Sequence, residues 1–181
     1  GTAALAGGGL VLSWLRPAPS GAPLVAGAPG FNPNAWLQVR PDGAIILQVD
    51  KIEMGQGVTT GYVTLLAEEL DVDPGQITTR IPPVHPLFQD PAQSTGESRS
   101  MAARWLPIRE TGARARQMLL AAAARRWNVD VATLDTNGQG AVIGPGNESL
   151  TYGELATDAA ALPLPDAVVL RSDTGTRRWI G

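Results

Sequence analysis

The sequence predicts an α/β domain with a mixed sheet and packed helices. Three observations carry this expectation. Two apolar, strand-like runs flank Pro41-Asp42-Gly43, a helical pattern follows from Val58 to Leu70, and a further short strand follows from Ile77 to Ile81. Strand, helix and strand in succession make a sheet with helices laid on it.

Composition bounds what such a domain can be. The chain has 181 residues, enough for one ordinary core or two small lobes but not for a redox enzyme with several centres. Hydrophobic residues make up 44% and charged residues 17%, with a net charge of −3, so nothing favours a nucleic-acid partner. The absence of cysteine excludes disulfides, cysteine-ligated iron-sulfur clusters and a thiol nucleophile. His85 is the one histidine, which excludes a His-rich metal site within the chain. A Ser/His/Asp triad would have to use that residue, which lies among Pro82, Pro83 and Pro86, where a solvated side chain is the ordinary expectation.

Taken in order, Ala3 to Leu15 is small and apolar and contains Gly7, Gly8 and Gly9. It falls short of the roughly 20 residues needed to span a bilayer and reads as the apolar core of an export signal. The start at Gly1 rather than Met carries the expectation that residues upstream were removed or omitted. Pro17 to Pro33 is rich in Pro, Gly and Ala and reads as a linker; the alternative is a surface helix packed on a partner.

Trp36, Leu37 and Val39, then Ile45, Ile46, Leu47 and Val49, predict a β-hairpin around the Pro41-Asp42-Gly43 turn. In the helix from Val58 to Leu70, the spacing of Val63, Leu66, Ala67 and Leu70 predicts the buried face, with Glu68 and Glu69 on the other side. Asp73-Pro74-Gly75 turns the chain into the strand Ile77 to Ile81. A long helix is expected over roughly Arg99 to Trp127, divided or bent at Pro107 and Gly112. Its arginines, Arg99, Arg104, Arg109, Arg114, Arg116, Arg125 and Arg126, are spread round the helix and read as a solvated face or as partners of carboxylates.

Val129 to Leu134 opens a second small lobe, and Asp135 to Ile143 reads as turn and strand. Thr151 and Glu154 have the spacing of a capping box for another helix, ended by Pro163 and Pro165. Ala167 to Leu170 reads as a last strand, and the stop at Trp179-Ile180-Gly181 reads as a boundary within a longer protein.

Two motifs can carry chemistry. Glu53-Met54-Gly55-Gln56-Gly57 lies after a strand and directly before a helix. Two glycines allow close backbone approach by a ligand, the Gln56 amide both donates and accepts, and the helix N-terminus offers N–H groups to an anion. The plain alternative is a tight turn. It is not a dinucleotide fingerprint, because Thr60 stands where the third glycine would fall. The second motif is Gln93-Ser94-Thr95-Gly96-Glu97-Ser98-Arg99-Ser100, whose hydroxyls and N–H groups can hold a phosphate; its alternative is a helix cap by Ser98 or Ser100.

The order of these pieces resembles the opening of the large β subunit of isoquinoline 1-oxidoreductase and membrane-associated aldehyde dehydrogenases, within the xanthine oxidase family. The resemblance rests on Phe31-Asn32-Pro33-Asn34-Ala35-Trp36-Leu37, Pro41-Asp42-Gly43, Lys51 to Gly57, Leu65 to Asp71, Trp105 to Arg109, Gly112 to Arg116, Ala121 to Ala124, Tyr152 to Leu155 and Ile180-Gly181. It covers about residue 31 to the end.

Composition reads residues 1–30 as a signal-like apolar segment and Pro/Gly/Ala linker; the resemblance implies a cofactor-binding α/β lobe over 31–128 and a small second lobe over 129–181 leading to the rest of a larger subunit. It implies molybdenum-molybdopterin cytosine dinucleotide as cofactor, held with the rest of the subunit. Gly55, Gln56 and Gly57 would lie against the pterin, and Thr95, Gly96 and Ser98 would help to hold the phosphates. Relatives commonly have Thr-Gly-Gly-Ser where this chain has Thr95-Gly96-Glu97-Ser98, so either the Glu97 carboxylate points away from any phosphate or this loop is not the phosphate contact.

Such enzymes hydroxylate an aldehyde or an N-heterocycle with water as the oxygen source and pass electrons to iron-sulfur clusters on a small subunit. A membrane-bound cytochrome c subunit is a further implied partner. The implied location is periplasmic, with membrane association. The family's catalytic glutamate lies far beyond this chain, so no catalytic residue is assigned here, no side chain is assigned to the metal, and Glu53 is expected to be structural. Two other readings stand beside this one: a non-catalytic scaffold or assembly module, and an exported α/β binding domain.

Overall fold

The computed structural model describes residues 2–6, 9–13, 35–84, 88, 93–171 and 177–180. The linker from Pro17 to Pro33 and His85 lie outside these residues.

A five-stranded sheet is built in the order β1 (Thr2–Ala6), β2 (Gly9–Ser13), β3 (Ala35–Val39), β4 (Ile45–Gln48) and β5 (Ile77–Arg80). The pairs are antiparallel except β4 with β5, which run parallel, with Ile45 beside Ile77 and Gln48 beside Arg80. The sheet is therefore mixed, as the sequence predicts. A parallel pair needs a crossover, and helix α1 (Val58–Leu70) provides it. The apolar run from Ala3 to Leu15, read as an export signal, contributes the backbone of β1 and β2.

The β3–β4 hairpin forms where the alternation and the turn placed it. Gly43 adopts φ 87° and donates its N–H to Arg40 O at 2.9 Å. Strand β4 is buried on both faces, the mark of a strand covered on each side. Behind it, Leu65, Leu66 and Leu70 of α1 are almost wholly buried, each contributing about 1.5–3 kcal/mol.

Helix α2 (Ser100–Trp127) runs as one helix through Pro107 and Gly112, which corrects the expected division. A proline inside a helix costs about 3 kcal/mol, and packing on both sides offsets it. Arg104 is anchored to Asp50 on one side, and Gly112 on the other lies so close to α1 that a Cβ would come 2.9 Å from Leu66 O.

A second sheet, β6 (Asp135–Thr136), β7 (Ala141–Ile143) and β8 (Ser149–Thr151), is an antiparallel meander leading into α3 (Tyr152–Ala160). The Thr151–Glu154 capping box is formed. Gly153 sits against the β3–β4 turn, where a Cβ would lie 2.8 Å from Pro41 O. Val142, Tyr152, Leu155 and Ala159 join the same hydrophobic cluster as Leu37, Leu47 and Leu66. Residues 167–170 form no strand; beyond them the Arg171 N–H is taken by the Glu69 carboxylate at 2.6 Å rather than by a strand.

The side predicted for Glu68 and Glu69 is also corrected. Both are fully buried. Glu68 accepts the N–H groups of Arg178, Trp179 and Ile180 at 2.5–3.0 Å. Glu69 accepts from Arg109 Nε at 3.1 Å. With Asp71, which faces Arg171 at 3.2 Å, these carboxylates tie the end of α1 to Arg171 and to Arg178, Trp179 and Ile180. A buried carboxylate requires such partners.

Candidate functional site

The two loops singled out in the sequence meet in the fold. The loop over 51–57 leaves β4 and enters α1, and the loop over 94–99 enters α2. The Ile52 N–H donates to Thr95 Oγ1 at 2.7 Å. Gln56, Thr95, Gly96 and Ser98, four of the six predicted site residues, line one cavity of about 300 Å³ together with Met54, Val58, Glu97, Ser100 and Met101. Gly55 and Gly57 set the course of the loop instead, with φ of 92° and 79°, values that favour glycine. Apart from the adjoining residues, no atom of the described residues lies within 4 Å of where a Cβ would stand at either position, so the backbone there is open to approach.

Glu53 organises this loop. Its Oε1 accepts from the Gly55 and Gly57 N–H groups, both at 2.9 Å, and its Oε2 accepts from Thr59 N–H at 3.0 Å. The hydrogen bonds from Thr59 and then Gly57 hold its carboxyl below the usual carboxylate value. At the start of α1, read from the sequence as a seat for a ligand anion, the Gly57 and Thr59 N–H groups are thus taken by the protein's own carboxylate. Glu53 has the structural role expected of it.

Gln56 folds back on the same loop, accepting from Met54 N–H and donating to Ile52 O at 2.8 Å. An amide has two donor hydrogens and two acceptor lone pairs, so each end keeps capacity for a ligand.

Glu97 and Ser98 both have φ of 55°, a left-handed conformation that is costly for residues with a side chain. Glu97 belongs to the cavity wall rather than lying clear of it, and its carboxylate is drawn to Arg99 Nη1 at 2.6 Å. Neither Ser98 nor Ser100 caps α2; the capping position is Arg99 and has no side-chain bond.

A second cavity, of about 400 Å³, adjoins the first and shares Gly96, Glu97 and Ser100 with it; Lys51, Ser94, Arg99 and Ala103 complete its wall. Behind Lys51 lies a buried charge cluster. Asp50 Oδ2 takes Arg104 Nε at 3.1 Å and Nη2 at 2.7 Å, and Lys51 Nζ lies 3.3 Å from the same oxygen. The Arg104 guanidinium rests 4.7 Å from the Trp36 ring centre. The Tyr62 hydroxyl donates to Ser100 O at 3.0 Å, fixing the start of α2 on α1; burial first, and then Asp50, push its pKa up. Lys51 and Arg104 were missed as a unit in the sequence, where Arg104 stands 53 positions after Lys51; the Asp50-Lys51 pair beside the glycine motif was the one local signal.

The chain is similar to known proteins over most of its length. A family model described as "Molybdopterin cofactor-binding domain" matches residues 13–176. The chain is 31% identical over 141 residues to isoquinoline 1-oxidoreductase subunit beta of Brevundimonas diminuta, covering 75% of this chain and 18% of that protein. It is 25% identical over 156 residues to membrane-bound aldehyde dehydrogenase [pyrroloquinoline-quinone] of Gluconacetobacter polyoxogenes, covering 82% and 19%. Among solved structures, quinoline 2-oxidoreductase from Pseudomonas putida 86 matches with a TM-score of 0.50 at 15% identity, over 70% of this chain and 16% of that one. The chain thus spans about a fifth of the length of these relatives.

Proposed function

The chain belongs to the molybdopterin cofactor-binding domain family, and from that premise we propose that it forms the N-terminal, cofactor-embracing part of a molybdenum hydroxylase large subunit. The observation that carries the reading is the junction of two loops far apart in sequence, held by the Ile52–Thr95 hydrogen bond and walling one cavity.

The residues present fit such a group. Open backbone at Gly55 and Gly57 admits a flat ring system, and the remaining donor and acceptor capacity of Gln56 suits its heteroatoms. The serines of the second loop and the neighbouring cations suit phosphoryl oxygens. In this reading Gly55, Gln56 and Gly57 orient the pterin, and Thr95, Gly96 and Ser98 shape the adjoining wall. Glu53 keeps the first loop in its bound shape beforehand, which reduces the ordering cost of binding.

When bound, molybdenum-molybdopterin cytosine dinucleotide supplies the two-electron acceptor for hydroxylation of a carbon with water as oxygen source. This chain's share is to bind and orient. The aldehyde or N-heterocycle, the remainder of the large subunit, an iron-sulfur small subunit and a membrane-bound cytochrome c subunit belong to the proposal. It draws them from the names of the relatives and from the family resemblance. Periplasmic location rests on the apolar run from Ala3 to Leu15; no helix among the described residues is long and apolar enough to cross a membrane.

The test is metal analysis of the complex purified from its source, beside Gln56→Ala and Gly57→Val variants. Stoichiometric molybdenum in the wild type and loss of it in both variants is the expected result. Full retention in both variants overturns the site assignment, and a wild-type complex free of molybdenum overturns the function.

A further inference from the structure

Of the three carboxylates at the end of α1, Glu68 is bound in a way that stability alone does not call for. It is fully buried, and among the described residues its partners lie at Arg171 and Arg178 to Ile180. Its carboxylate accepts the N–H groups of three successive residues, Arg178 at 3.0 Å, Trp179 at 2.5 Å and Ile180 at 3.0 Å, and lies 3.4 Å from Arg171 Nη1. Asp71 faces the guanidinium groups of Arg171 and Arg178 at 3.2 and 3.5 Å. The chain is thus pinned at Arg171 and again at 178–180. A buried carboxylate is a poor source of stability, because taking the charge out of water costs about as much as its partners return, and apolar packing of similar volume serves as well. What it provides is selection of a path: three N–H groups in a row must converge on one point. A slip by one residue would bring Trp179, which is 39% exposed, to the place where Ile180 packs on the core.

We propose that Glu68 is a positioning residue, which fixes the path on which the chain leaves this domain rather than the stability of the domain. Helix α1 starts directly after the loop of Gly55 and Gly57 and ends at this clasp 13 residues later, a span of about 20 Å at 1.5 Å per residue. The exit is thereby held at a set distance from the candidate site by one helix. That a remainder of the subunit follows, and is placed against the cofactor by this exit, rests on the function proposed above. The path of Arg178 to Ile180 does not.

The test is hydrogen exchange on the protein as purified from its source, as wild type, Glu68→Leu and Glu68→Gln. It is read at the amides of Arg178, Trp179 and Ile180 and at Leu119, Ala122 and Ala123 of α2, whose buried amides report opening of the whole domain. Glu68→Leu is expected to speed exchange at 178–180 about tenfold or more, the loss of hydrogen bonds to a charged group, while α2 keeps its protection. Glu68→Gln leaves a buried polar group half satisfied and is expected to cost α2 more protection than Glu68→Leu does. Unchanged protection of 178–180 in Glu68→Leu overturns the proposal, because other groups then hold the path. A loss at α2 in Glu68→Leu as large as in Glu68→Gln also overturns it, because Glu68 is then a stabilising group. If Glu68→Leu does not fold, Trp179→Pro replaces it. That variant removes one donor and keeps the carboxylate; it must speed exchange at Arg178 and Ile180 several-fold, and overturns the proposal if both stay protected. These readings do not depend on the metal, so a wild type without molybdenum overturns the proposed function and leaves the role of Glu68 to be decided by exchange.

Discussion

Gly112→Ala tests how α2 is held against α1. A Cβ at Gly112 would lie 2.9 Å from Leu66 O, 3.0 Å from Glu69 Cβ and 3.1 Å from Leu70 N. Two of these atoms are backbone of α1, so the helices must separate. Alanine gains about 1 kcal/mol of helix propensity over glycine, while overpacking costs about 1–3 kcal/mol. With rigid backbone as the obstacle the upper part of that range applies, and the variant is expected to lose about 1–2 kcal/mol. Gly61→Ala in α1 is the matched control. There the obstacle is the thioether end of Met101, at 2.7 and 2.8 Å, which can swing aside, so up to about 1 kcal/mol of propensity is recovered. The two variants then differ by about 1–3 kcal/mol, or roughly 2–12 °C in thermal midpoint for a chain of this size. Parallel thermal unfolding of wild type and both variants measures it. Equal midpoints, or Gly112→Ala the more stable, refute the inference that close backbone contact keeps α2 undivided past Pro107.

Three further outcomes are expected. Glu97→Gly relieves a left-handed residue and removes only an exposed ion pair, so the urea midpoint should rise by an amount equivalent to about 1 kcal/mol. Glu68→Gln should cost about 3 kcal/mol or more by disturbing a buried charge, and should raise hydrogen exchange at the Arg178, Trp179 and Ile180 amides that Glu68 holds. The Glu53 carboxyl is held below its ordinary value; a depressed carboxyl contributes stability above its unfolded-state value and loses it as pH falls through the folded-state value. The stability gap between wild type and Glu53→Gln should therefore be widest near neutral pH and close in acid, as read from unfolding at a series of pH values; a constant gap contradicts the hydrogen bonding described.

What was legible in the sequence was local. Pro41-Asp42-Gly43 fixes a turn within itself, Thr151 and Glu154 cap a helix across one turn, and the glycines at 55 and 57 declare a special backbone without reference to anything distant. The errors all lie where distant residues decide. Glu68 and Glu69 look like a solvated pair because the groups that satisfy them, on Arg171, Arg178, Trp179 and Ile180, stand about a hundred residues later. Pro107 looks like a break because the packing that carries α2 through it belongs to α1 and Asp50. The candidate site follows the same rule: each loop could be named alone, but the Ile52–Thr95 bond that makes them one wall spans 43 residues.

Glu53 bears on how the first loop could receive a charged ligand. Glycines before a helix suggest that the helix N-terminus itself attracts the ligand's negative charge. Here Gly55, Gly57 and Thr59 already give their N–H groups to Glu53, and a second anion at that turn would meet a carboxylate. It follows that Glu53→Gln should loosen the first loop, read as faster hydrogen exchange at the Gly55, Gly57 and Thr59 amides; unchanged exchange at all three contradicts the hydrogen bonding described.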